Sequence, residues 1–339
     1  MADPANPAAS ARPPLTILTV VLEKHYGYVA QQIALIDALN PGADYRLLVV
    51  DNAAKAGVAR LVAEDPRCRV IAGVEPDGLP LEGRGSYHHA AALNLALPQV
   101  DSRFLLVLDP DFFVIRPGWI ADCLHHMRAG GLMFFGAPWN YVSFRKWRYF
   151  PCVHFLMIDL DQADRRRIDF TPAIVEDRRW LNSPAANWLK THAPLVHARS
   201  LLESRRDTGW RLRRDFGARG RRRSDVVQPV IDLDAELIHP KYLRTPRARS
   251  VEPRLPRRWS FFPAPGSYVD PSEAPFFQQP AMRALAPESF AWRGAPFAFH
   301  MRRNMRDKTK GRTAADMERE QAEVARVLRQ VAAGKALDD

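Results

Sequence analysis

The chain predicts an α/β protein: a mixed, mainly parallel sheet flanked by helices, followed by an irregular second half. Three observations carry the prediction. Apolar runs of strand length alternate with segments of helical spacing through about the first 137 residues, the pattern of βαβ units. Asp51, Asn52, Asp109 and Asp111 stand at the ends of such runs, where open parallel sheets bind ligands. The 339 residues are 47% hydrophobic and 26% charged, enough to bury a sizeable core and far from the composition of a disordered chain.

Residues 1–14 are Ala, Pro and polar, without an apolar segment, and read as a flexible tail with no signal peptide. Leu15 to Leu22 is the first strand. Tyr28 to Leu39 places Val29, Ile33, Ile36 and Leu39 at helical spacing, and Asn40-Pro41-Gly42 ends it. Tyr45 to Val50 is a second buried strand, Ala53 to Glu64 a helix, and Arg69 to Ala72 a third strand. Ser86 to Leu97 is an Ala-rich helix with Ser86 as its N-cap, and Phe104 to Leu108 is the fourth strand. Beyond it, Trp119 to Met127 reads as a helix, and Leu132 to Ala137 and Val153 to Ile158 as strands. From Asp161 the chain is loop-rich and basic, with Pro-rich stretches from Pro240 to Pro287 and a last helix from Ala314 to Ala333. The organisation is therefore a tail (1–14), a ligand-binding half (15–137), a loop-rich second half (138–312) and a C-terminal helix (313–339).

Asp109-Pro110-Asp111 closes the fourth strand. Alternate residues of an extended segment point to opposite faces, but a turn at a strand end can aim both carboxylates at one pocket. Pro110 fixes its own φ and restricts Asp109, which stiffens that turn. Two hard oxygen ligands suit Mg²⁺ or Mn²⁺, which would bridge a diphosphate. Elsewhere Asp at such a place is a turn residue; the position after a buried strand in an α/β half favours the ligand reading.

Four segments in this order resemble the GT-A fold (Rossmann-like) glycosyltransferases, near the family 2 group: LTILTVVL from Leu15, LLVVDNAAK from Leu47, GSYHHAAALNLAL from Gly85, and FLLVLDPDFFVIRPGWI from Phe104. The resemblance covers about residues 15–160 and implies a metal-dependent transferase with a UDP-, GDP- or dTDP-sugar donor. It further implies that Asp51 and Asn52 lie at the nucleoside, Asn94 near the diphosphate, and Asp109 and Asp111 on ribose, metal and phosphate. It also implies a late His completing the metal shell, for which His300 in PFAFHMRRN stands ready, with Arg302 beside it for the diphosphate. The sequence departs from the family after Asn52, where Ala-Ala-Lys follows, and after the first strand, where Glu23-Lys24-His25 stands.

Ser86 and His89, at the start of their helix, are candidates for the donor phosphates, because a helix start presents free N–H groups. A carboxylate is needed as base for an inverting transfer. Asp207 in RRDTGW is the first candidate, with Trp210 nearby to stack on a sugar, and Asp177 in VEDRRW is the second. Trp139, Asn140 and Tyr141 could also face a sugar, and His154 reads as a core histidine or an acceptor-site residue.

The net charge of +11 attracts phosphates of any kind. No zinc spacing, RNA-binding signature or helix-turn-helix pattern appears, so nucleic acid is not the expected partner. The Arg-rich half reads either as a solvated face or as a surface for an anionic, lipid-linked or polysaccharide acceptor. The three cysteines show no paired spacing and weakly imply a reducing compartment. With no apolar run of about 18 residues, the expectation is a cytoplasmic protein, at most touching the inner membrane face. Two other functions are kept: a nucleotidyltransferase of related fold, and a non-catalytic basic protein binding nucleic acid or anionic lipid.

Overall fold

The structure is a computed structural model that describes residues 13–22, 26–53, 65–74, 78, 83–139, 150–176, 183–185, 188, 206–232, 265–301, 314–335 and 337. The first half runs β1 (Leu15–Val21), α1 (Tyr26–Leu39), β2 (Tyr45–Asp51), β3 (Cys68–Ala72), α2 (Arg84–Ala96), β4 (Phe104–Leu108), β5 (Phe112–Val114), α3 (Trp119–Ala129) and β6 (Phe134–Gly136). There follow β7 (Phe155–Asp159), α4 (Trp210–Arg222), β8 (Ser224–Val226), β9 (Gln228–Pro229), α5 (Pro280–Leu285), β10 (Glu288–Trp292), β11 (Ala295–His300) and α6 (Ala314–Ala332).

The seven-stranded sheet has the order β3-β2-β1-β4-β7-β6-β8. Its pairs are parallel except those of β7, which runs against both β4 and β6. This is the mixed, mainly parallel arrangement that the sequence predicts. Every residue of β1 and β4 is buried, as expected of strands covered on both faces. The sheet continues through position 137 into β7 and β8, so the two halves of the chain share it.

Two apolar layers cover the sheet. One combines Ile17, Leu106 and Phe155 with Val29 and Ile36 of α1 and with Trp119 and Cys123 of α3. The other joins Leu18, Leu105 and Leu156 to Ala90 and Leu93 of α2 and to Leu212 and Phe216 of α4.

Three features depart from the sequence reading. Ser86 is not an N-cap. Helix α2 begins at Arg84 behind Gly83, whose φ of 71° is left-handed, and the Ser86 N–H donates to Gly83 O at 2.8 Å. The left-handed backbone selects glycine at Gly83, and a Cβ there would in addition stand 2.5 Å from Ile174 Cδ1 and push that side chain aside. The second departure is an antiparallel sheet, β5-β11-β10-β9, which joins β5 of the first half to three strands of the region read as irregular. Its β10–β11 hairpin turns at Arg293 and Gly294, both at positive φ (52° and 72°). The third is the strand read as Leu132–Ala137, which spans only Phe134–Gly136. The helix expected at 53–64 falls, from 54 onward, outside the described residues. Among the described residues no helix is long and apolar enough to cross a membrane.

The two sheets meet at Phe112. Its fully buried ring packs against Phe155 (5.2 Å between centroids), Phe290 (5.5 Å), His154 (5.6 Å) and His300 (5.6 Å). Phe112→Ala would open a cavity between the sheets and is expected to cost about 3–5 kcal/mol. Urea denaturation of the variant measures this, and a loss below about 1 kcal/mol would contradict the packing described.

Candidate active site

The Asp109–Asp111 turn is built by five backbone-directed hydrogen bonds. Phe112 N–H donates to Asp109 O at 3.1 Å, closing a β-turn with Pro110 at its second position. Asp109 N–H donates to His154 O at 2.9 Å, and Met301 N–H donates to Asp111 O at 2.9 Å. From the other side, the buried Gln32 of α1 donates through Nε2 to Asp109 O (3.0 Å) and Phe112 O (2.8 Å). Nothing in the local sequence marks Gln32 for this task, because the turn it holds is 77 positions away.

Strand β5 leaves this turn and pairs antiparallel with β11, with His300 opposite Phe112. The pairing delivers the His300 imidazole to the two carboxylates. Nε2 lies 3.2 Å from Asp111 Oδ1 and 4.0 Å from Asp109 Oδ2, while Nδ1 lies 3.2 Å from Glu288 Oε2. Asp109, Asp111 and His300 each offer one ligand atom, all within 4.8 Å of one another. Two carboxylates and an imidazole at that spacing fit a divalent cation such as Mn²⁺. Burial opposes a charge on His300, yet the carboxylates of Asp111 and Glu288 outweigh it and raise its pKa to about 10.

These groups open onto a cavity of about 330 Å³ at the carboxyl ends of β1, β2 and β4. Asn52, Ser86, His89 and Asp207, all read as site residues from sequence, line it together with Asp109, Asp111 and His300. His89 Nε2 is 3.8 Å from Asp109 Oδ1. Trp139 and His154 form part of the wall, with His154 stacked on His300 at 5.0 Å and 21°. Asn52 donates through Nδ2 to His88 O at 3.4 Å.

Asp207 sits in a loop tied to the start of α2. Its Oδ1 accepts from Thr208 N–H (2.9 Å), and Thr208 Oγ1 donates to Ser86 O (3.1 Å). Gly209 at φ 83° starts α4, and Trp210 lies under the guanidinium of Arg206 at 5.2 Å.

Asp51 and Asn94 stand outside the cavity lining. The buried Asp51 carboxylate accepts from Tyr26 OH (2.9 and 3.1 Å) and from Ala53 N–H (3.0 Å). Asn94 pins a loop to α2: its Nδ2 donates to Asp169 Oδ1 (3.1 Å) and its Oδ1 accepts from Phe170 N–H (3.0 Å). Asp177, Arg302, Asn140 and Tyr141 lie outside the described residues. Glu288 and Gln32 were not singled out from sequence, since their roles exist only through cross-strand and helix-to-turn contacts.

Some arginines of the basic half are tied to neighbouring groups, while Arg165, Arg166, Arg167, Arg219, Arg221 and Arg222 remain exposed. Arg103 of the first half pairs with the fully buried Asp159 at 2.9 Å, Arg211 with Asp169 at 3.1 Å, and the exposed Arg166 with Asp164 at 3.1 Å. Arg165 and Arg223 donate to the main-chain carbonyls of Ser102 and Gly131. Burial lowers the Arg213 pKa to about 10.

Comparison with protein-family models and with curated proteins finds no match. Comparison with solved structures finds glycosyltransferases. The galactosyltransferase LgtC in complex with donor and acceptor sugar analogs is 15% identical, over 63% of this chain and 73% of that chain, with a TM-score of 0.36. The mannosyltransferase PcManGT from Pyrobaculum calidifontis, in complex with GDP-Man and Mn²⁺, is 14% identical over 48% of each chain, with a TM-score of 0.36. TarS 1-349 of S. aureus, in complex with UDP-GlcNAc, is 12% identical over 46% of this chain and 48% of that chain, with a TM-score of 0.35. Likeness at this level assigns no residue roles to this chain.

Two expectations follow from the geometry. The His300 pKa, raised from about 6.5 to about 10, makes its ion pairs stabilising below about pH 6.5, with the contribution lost as pH rises through about 10. In metal-free buffer, His300→Gln should therefore lower Tm more at pH 6 than at pH 10; an equal loss at both would contradict the assignment. Gln32→Leu should cost about 1–3 kcal/mol in chemical denaturation, because it strips a donor from two inward carbonyls of the turn.

Proposed function

We propose that this protein is a metal-dependent glycosyltransferase that moves a sugar from a nucleotide-sugar donor to a hydroxyl of a saccharide or lipid-linked acceptor, with inversion. The observation that carries the reading is the convergence of Asp109, Asp111 and His300 at the end of β4, in a cavity bordered by the first turn of α2 and by Asp207. A bound Mn²⁺ or Mg²⁺ would supply charge neutralisation to the donor diphosphate.

The protein's own groups divide the remaining work. Asp109, Asp111 and His300 hold the ion. The start of α2, with Ser86 and, a turn further on, His89, borders the phosphates, where the helix dipole favours anions. Asn52, at the end of β2, is assigned to the nucleoside side of the cavity, with Asp51 behind it. The donor half, 15–137, thereby meets an acceptor half, 138–312, across one shared sheet.

Asp207 is assigned as the base. Of the three carboxylates among the described residues lining the cavity, Asp109 and Asp111 are committed beside His300, which leaves Asp207. Its carboxylate takes the proton of the acceptor hydroxyl as that oxygen attacks the anomeric carbon. The bond from that carbon to the diphosphate oxygen breaks, and the nucleoside diphosphate leaves from the opposite face. Trp139 offers an apolar wall for the acceptor sugar.

Thermal melts with UDP, GDP and dTDP, each with Mn²⁺, test the reading. At least one nucleotide should raise Tm, and Asp111→Asn should abolish the shift. No shift with any nucleotide, or a shift unchanged in Asp111→Asn, would overturn it. Asp207→Asn should keep the shift while lowering kcat for transfer by roughly 100-fold or more, the scale of a general base. Retention of wild-type turnover would remove Asp207 from the mechanism.

A further inference from the structure

Resting on the reading above, we propose that Glu288 is a positioning residue for the cation site: it holds His300 through Nδ1 and thereby presents Nε2 to an ion on Asp109 and Asp111.

The argument starts from the hairpin. Glu288 opens β10 and His300 closes β11, and the two are direct cross-strand partners in the antiparallel ladder. The carboxylate lies 3.2 Å from Nδ1, and its side chain is only 11% exposed. The other ring nitrogen faces the opposite way, 3.2 Å from Asp111 Oδ1. The imidazole is thus divided between a carboxylate behind it and the cation site in front.

Packing limits what the ring can do. His154 stacks on one face at 5.0 Å, and Phe112 stands 5.6 Å away. With the ring plane confined, the remaining freedom is a half-turn of the ring, which would replace the nitrogens by carbons at both contacts. Glu288 opposes that flip, because only the observed orientation gives its oxygen a donor. When a cation takes the place of the Nε2 proton, the Nδ1–H that Glu288 accepts is the one retained, and Nε2 is left with the lone pair that binds metal. Outer carboxylates that hold a metal-binding histidine in this way are worth about 10–100-fold in metal affinity.

Glu288 touches the ligand and not the ion, so its effect must pass through His300. That gives the test its form. Wild type, Glu288→Gln, Glu288→Ala, His300→Ala and the double variant Glu288→Ala/His300→Ala are titrated with Mn²⁺, alone and with UDP, GDP or dTDP. The electron paramagnetic resonance signal of free Mn²⁺ reports affinity without any need for turnover. Glu288→Ala should weaken binding about 10–100-fold. Glu288→Gln, whose amide oxygen still accepts from Nδ1, should lose less, and it carries the test if the Ala variant fails to fold. On the His300→Ala background, Glu288→Ala should cost nothing further. Wild-type affinity in folded Glu288→Ala, or an equal loss with and without His300, would overturn the positioning role while leaving the cation site standing. No Mn²⁺ binding by the wild type under any of these conditions would overturn the glycosyltransferase reading together with this proposal.

Discussion

The pairing of β5 with β11 is the constraint on which the site depends. β5 begins one residue after Asp111, and its partner ends at His300, so a three-rung ladder brings a histidine to Asp111, 189 positions away, and to Asp109 beside it. The same ladder places Phe112 where its ring joins the seven-stranded sheet to the smaller one. Loss of this pairing would remove a ligand from the site and the central contact from the core at once.

The turn itself is held before any ligand arrives. Bonds from His154, Met301 and Gln32 fix the carbonyls and amide around Asp109 and Asp111, each from a different element. Bringing two carboxylates together is unfavourable at close range, and Glu288 adds a third nearby. His300 offsets this repulsion, with its pKa raised to about 10, and a divalent cation would do the same. The geometry is therefore preorganised, with backbone bonds carrying position and the imidazole carrying charge.

In the Arg-rich half, position decides what each charge does. Arg103, Arg166 and Arg211 each close on an aspartate nearby in space, and Arg165 and Arg223 tie loops to carbonyls of the first half. Arg206 and Arg213 stack about Trp210, next to the loop that carries Asp207. Part of this positive charge ties the loop-rich half to the sheet, while the exposed arginines at 165–167, 219, 221 and 222 leave the rest facing solvent.

Periodicity and punctuation are local properties, and they were enough to place β1, α1, β2, β3, α2, β4, α3 and α6 within a few residues. They also marked Asp109-Pro110-Asp111 at a strand end; the helix start pointed to Ser86 and His89, the need for a base to Asp207, and resemblance to His300, all of which line one cavity. Ser86 is a good cap by residue type, yet Gly83 starts α2 by its left-handed φ, which no residue-type preference for caps reveals. The small sheet, the grip of Gln32 on the turn and the contact of Glu288 with His300 had no local signal. Each depends on which strands and helices become neighbours, and that is decided by long-range packing around Phe112 rather than by any pattern within a single segment.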